Sequence, residues 1–144
     1  MWLWRWRARR MVRPIVEEAK ADAERIERGA EEWRRWWRQT GERELRCILM
    51  TAWDPIGVGD APEAWDEYDS YIAGVGRRLQ ETADPDGAAE SVAGYLDHVE
   101  RDFMGDWTPE RGRANGYLAE TLVAWHEWSF VRGGRPPHEW VDDD

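Results

Sequence analysis

Asp54, Asp60, Asp66, Glu67 and Asp69 crowd one short stretch of the chain. Carboxylates brought together can hold a divalent cation, or can divide into a proton donor and a proton acceptor when their environments differ. Asp66 and Asp69 stand at i and i+3, so a helix would place both on one face. The stretch nevertheless lacks the D-x-[DN]-x-[DN]-G spacing of a calcium loop, and no histidine accompanies it. Helix caps and solvated faces account for these acids without a metal. A small metal-dependent hydrolase built around Asp54 and Asp66 is therefore the secondary reading, and no catalytic, metal-binding or cofactor-binding residue is assigned.

The remaining chemical groups are scattered. His98, His126 and His138 fall on two predicted helices and the C-terminal tail, with no HExxH or comparable ligand spacing. Cys47 is the sole cysteine, which excludes an internal disulfide and a cysteine-based zinc site. Between Arg46 and Ile48 it is expected to be a small buried hydrophobe in a reducing, cytoplasmic setting. No GxSxG, P-loop or GxGxxG motif occurs, and Gly57-Val58-Gly59 is followed by Asp60, an acid where a phosphate would need donors.

The elements that would position these groups are helices. Alternating β-branched runs are absent, and arginine, alanine and glutamate dominate. A long amphipathic helix over 14–41 opens at Pro14 and ends at Thr40-Gly41. Its apolar stripe is Ile15, Ala19, Ile26, Ala30, Trp33 and Trp37. A second helix covers about 42–52 and stops before Asp54-Pro55. Asp60-Ala61-Pro62-Glu63 reads as a cap for a third helix ending near Thr82. Within it Gly74 and Gly76 permit close approach of a neighbour. Asp84-Pro85-Asp86-Gly87 reads as a turn before a fourth helix over 88–104. Thr108-Pro109-Glu110 opens a fifth that runs to about Val131, with Ala114, Leu118, Thr121/Leu122, Trp125 and Trp128 on one face. The expected fold is all-α: a compact bundle of about five helices with a long N-terminal helix and a short C-terminal tail. Its parts are a basic arm (1–13), the long helix (14–41), an acidic bundle (42–132) and a tail (133–144).

Charge divides the chain unevenly. Residues 1–13 hold five arginines and no acid, residues 14–43 nearly cancel, and residues 44–144 hold eight bases against twenty-two acids. Such a body repels nucleic acid and anionic membrane, and draws cationic partners. Direct nucleic-acid binding by the body is not expected. The Trp/Arg-rich arm reads as a disordered segment that folds onto its own acidic body or as an upstream extension from a misplaced start. An interfacial anchor ranks lowest, because thirteen residues bind weakly and the acidic remainder opposes them. No run is long and apolar enough to span a bilayer, and the N-terminus lacks the h-region of a secretory signal.

Two motifs stand out, Trp53-Asp54-Pro55-Ile56-Gly57-Val58 and Asp66-Glu67-Tyr68-Asp69-Ser70-Tyr71. With Ile48-Leu49-Met50 before them and Met104-Gly105 after, they resemble the YugE-like domain of unknown function, a bacterial family of small helical proteins. The resemblance covers about residues 45–131. It implies a helical, bacterial, cytoplasmic protein and carries no activity or catalytic residue. On the residues themselves, Trp53 plugs the end of the bundle while Tyr68 and Tyr71 pack inward, hydroxyls near the rim.

A non-enzymatic protein-binding module follows from these features, in the manner of an immunity or antitoxin-type protein that neutralises a basic partner. The surplus of tryptophan and tyrosine favours interfaces. Candidate contact residues are Trp53, Asp54, Asp66, Glu67 and Asp69 at the paired motifs, and Trp33, Trp36 and Trp37 on the first helix. That helix offers a further reading, a subunit docking into a larger assembly or onto a second copy, because its tryptophans must meet the body or another chain.

Overall fold

A computed structural model describes residues 2–53, 65–105 and 107–134, with side chains from Arg7 onward except at 65–67 and 103–104. The described residues are helical, with no strand among them. The α-helices are α1 (Trp2–Trp36), α2 (Glu42–Ala52), α3 (Trp65–Glu81), α4 (Pro85–Val99) and α5 (Pro109–His126). Three π-helical turns accompany them, at Trp37–Gly41, Glu100–Met104 and Glu127–Val131. The all-α reading holds. The cap expected at Asp60 lies outside the described residues.

The chain divides into two units, Met1–Arg35 and Trp36–Asp144. The first is the body of α1. It begins at Trp2 rather than at Pro14, which lies inside it. Arginine, leucine, alanine and methionine before Pro14 are strong helix formers, and an internal proline costs about 3 kcal/mol without ending so helical a run. Arg34 bridges Glu27 (3.1 Å) and Glu31 (2.8 Å), and Arg25 pairs with Asp22 at 3.0 Å. Trp33 is buried, whereas Met11, Val12, Ile15, Val16 and Ile26 are exposed.

In the second unit, Thr40-Gly41 does not end a helix. Gly41 keeps right-handed helical angles, and the chain passes through the π turn directly into α2. The glycine serves a different need: a Cβ there would lie 2.7 Å from the Trp36 ring. α2 supplies Leu45 and Leu49 to the core, and α3 supplies Tyr68, Tyr71, Ile72, Val75 and Leu79. α4 adds Val92, Leu96 and Val99, and α5 adds Leu118, Ala119 and Leu122. Packing runs between chain neighbours, α2 on α3, α3 on α4 and α4 on α5.

Local signals explain the helix ends. Asp84 is a cap rather than part of a turn: its carboxylate accepts from the Gly87 N–H at 3.0 Å, and Pro85 occupies the first helical position. α4 therefore starts three residues before Ala88. Thr108 caps α5 through the Arg111 N–H, as its sequence predicts. Gly105 closes the turn after α4 with φ of 71°, a left-handed conformation that glycine adopts without strain. Gly74 and Gly76 on α3 admit the rings of Tyr95 and Trp37, the close approach expected of them.

The inward face of α5 differs from expectation. Ala114 and Thr121 are exposed and Trp128 is 47% exposed, while Asn115 lies inside beside Leu118, Ala119 and Leu122. Cys47 is likewise exposed rather than buried. Leu45 and Leu49 turn α2's opposite side to the core, and the thiol follows the helix phase instead of its own preference.

Candidate functional site

Three groupings in the second unit have polar or apolar chemistry to offer. The first is buried. Glu100, at the start of the π turn after α4, is fully buried, and so is Asn115 on α5. Glu100 Oε1 accepts from Trp53 Nε1 (3.0 Å) and from Arg111 Nε (3.2 Å) and Nη2 (2.5 Å). Its Oε2 accepts from Asn115 Nδ2 at 2.9 Å. The same amide donates to Asp97 Oδ1 (2.9 Å), which also accepts from Trp107 Nε1 at 2.9 Å. Two carboxylates therefore fix the amide's orientation, since a flip would turn its oxygen onto both. Asn115 Oδ1 is left buried without a partner, at a cost of about 1–3 kcal/mol.

Such a carboxylate is held at both oxygens. Donors from Trp53, Arg111 and Asn115 converge on it, which suits a buried clamp holding α4, α5 and the end of α2 together. A carboxylate that must accept a substrate proton needs to be reached by substrate, and this one is fully buried.

The second grouping is an aromatic knot. Trp36 packs at 5.5 Å from Trp125, 5.5 Å from His126 and 5.2 Å from Phe130. Its indole N–H donates to Ser129 Oγ at 3.1 Å, and Ser129 donates onward to Glu44 Oε1 at 3.1 Å. Trp125 Nε1 donates to that same oxygen at 3.2 Å. Serine, histidine and carboxylate thus gather as in a hydrolase, but Ser129 sends its proton to Glu44 and accepts from an indole. No hydroxyl proton remains for His126 to take. Burial holds the His126 pKa below its ordinary value, with Glu127 opposing.

The third is a groove between α4 and α5. Pro85, Ala89, Val123 and Ala124 give it apolar lining; Asp86, Glu120 and Glu127 line it as acids. It offers about 420 Å³ open to solvent, and no arginine or lysine contributes to its lining among the described residues. Arg132 reaches Glu127 at 3.5 Å from outside. A smaller cavity of about 160 Å³ adjoins it, sharing Pro85, Val123 and Glu127.

The sequence-derived candidates distribute as follows. Trp53 is 1% exposed and belongs to the core, its ring 6.0 Å from both Tyr68 and Tyr71. Tyr68 donates its hydroxyl to the Trp53 carbonyl at 2.7 Å, so that hydroxyl is buried rather than at the rim. Asp69 is ion-paired with Arg46, which also meets Glu42 at 3.2 Å. Asp66 and Glu67 occupy the first turn of α3, and Asp54 lies outside the described residues. Trp36 and Trp37 are half-buried in the knot, with Trp37 against Gly76. His98 pairs with Asp102 at 2.7 Å, and His138 lies outside the described residues. The structure thus joins Trp53 to Glu100 and Trp36 to Ser129, and it ties Asp69 to a base.

Sequence reasoning missed Glu100, Asn115 and the α4/α5 groove. Helix phase held a signal for the first: Glu100 is four residues after Leu96 and eight after Val92, on the buried stripe. No group of three or more metal-ligating side chains occurs among the described residues, and no described helix is long and apolar enough to cross a membrane. No protein-family model, curated protein or solved structure matches the chain.

Proposed function

We propose that the chain is a non-enzymatic protein-binding module that takes a basic partner on its acidic bundle, in the manner of immunity or antitoxin-type proteins. The α4/α5 groove carries this reading. An apolar lining bordered by Asp86 and Glu120 suits an arginine or lysine whose stem packs on Ala89 and Val123 while its head meets a carboxylate; Glu127, at the same groove, already meets Arg132. The surplus of acids over residues 44–144 speeds the approach of such a partner. The hydrolase reading gains no support from Asp69, whose carboxylate is spent on Arg46.

Affinity capture from the source cell with tagged wild type and an Asp86→Lys/Glu120→Lys variant tests the proposal. Both positions are exposed, and reversing Asp86 in the first turn of α4 should cost only about 0.3–1 kcal/mol, which circular dichroism of the variant checks. The expected result is a basic protein retained by wild type, released by moderate salt and absent from the variant. Partners bound equally by the variant, or indifferent to salt, overturn it.

A further inference from the structure

The clearest unsatisfied surface lies on the first unit and is independent of the groove. Along α1, Met11, Ile15 and Ile26 are 74%, 66% and 72% exposed, and Val12 and Val16 are exposed beside them. Ala8, Met11, Ile15, Ala19, Asp22 and Ile26 advance in steps of three and four, the seam of a helix pair. Only Asp22 is polar, and it is held by Arg25 at 3.0 Å. One polar residue at a seam position fixes register and orientation at some cost in stability.

We infer that α1 is a self-association element that pairs antiparallel with α1 of a second copy, centred on Ile15. Charge selects the occupant and its direction. Residues 1–13 carry five arginines and no acid, and residues 14–24 carry Glu17, Glu18, Asp22 and Glu24 against Lys20 alone. Parallel pairing would set the arginine-rich segment against itself. Antiparallel pairing sets it against the acidic segment of the second copy, twice over by symmetry. A pair centred on Ile15 overlaps residues 2–28, about 40 Å of helix at the usual rise. It places Met11 beside Ala19 of the second copy and Ala8, a small residue, beside its Asp22. Exposed methyls that a monomer leaves in water become the seam, and the contact is isologous and closes as a dimer.

Light scattering on the full chain reads the association, and disulfide trapping reads the direction. At about 50 μM the wild type should show twice its 17.0 kDa chain mass. Ile15→Glu/Ile26→Glu should be monomeric, with helical content and thermal midpoint of the second unit unchanged. In a Cys47→Ser background, a Met11→Cys chain mixed with a differently tagged Ala19→Cys chain should oxidise to the mixed dimer. A monomeric wild type, or one that stays monomeric yet binds anionic vesicles, overturns the inference. So does a dimer that survives the double substitution, or a trap that yields only Met11→Cys with Met11→Cys.

Discussion

Removing Arg111 should be among the most damaging single changes the second unit can suffer. Glu100 is fully buried and its charge is balanced by one guanidinium, with Trp53 and Asn115 supplying neutral donors. Arg111→Met keeps the stem's volume and strands the carboxylate. Breaking a buried pair from one side costs about 3–5 kcal/mol, and because the Arg111 side chain is 34% exposed the lower end applies. Glu100→Met/Arg111→Met together removes the uncompensated charge. What remains is the lost acceptor of the Trp53 N–H, about 1–3 kcal/mol, since Asn115 still donates to Asp97. The double variant should therefore be more stable than the single one. Urea unfolding followed by circular dichroism measures both. With m of about 2 kcal/mol/M, the single change should lower the midpoint by about 1.5 M and the double by less. A double variant as unstable as the sum of its parts would refute the view that Glu100 and Arg111 are chiefly each other's compensation.

Gly76→Ala would set a Cβ 2.5 Å from the Trp37 ring and should cost about 1–3 kcal/mol, whereas Gly94→Ala on α4 meets nothing within 4 Å and should stabilise by about 0.4–1 kcal/mol in the same urea assay. His126 has a folded-state pKa depressed below 6.5 by burial, so the unfolded chain binds its proton more readily. Its contribution to stability is complete above pH 6.5 and fades as pH falls through the folded value. The thermal midpoint of wild type should drop more between pH 7.5 and 5 than that of His126→Gln, and equal drops would remove His126 from the account.

Much of the architecture was legible because its signals are local. Thr108-Pro109 announces a helix start through a side chain and a fixed φ, and Gly105 announces a stop through a left-handed backbone. Asp84-Pro85 carried the same cap chemistry, but Asp-Pro-Asp-Gly is also a turn pattern, and only the Gly87 N–H distinguishes the two. Thr40-Gly41 misled because glycine's small size was needed under Trp36, not its freedom at a helix end. The candidate site was harder to read. Glu100 occupies a buried helical phase, yet a carboxylate is ordinarily solvated, and its compensation by Trp53, Arg111 and Asn115 arises only when distant segments meet. The groove depends on Asp86 and Glu120, thirty-four positions apart in sequence, standing on facing helices.

The aromatic knot bears on how the second unit folds. Most packing links consecutive helices, which lets structure grow from short loops and favours rapid folding. Trp36 and Ser129, by contrast, are 93 positions apart, and Glu44 and Ser129 are 85 apart. Closing a flexible loop of that size costs about 4 kcal/mol in chain entropy if nothing between is yet ordered. Once α3, α4 and α5 have stacked, most of that cost has already been met. The knot is thus expected to close late: weakening it through Ser129→Ala should accelerate unfolding and leave the refolding rate nearly unchanged in stopped-flow kinetics.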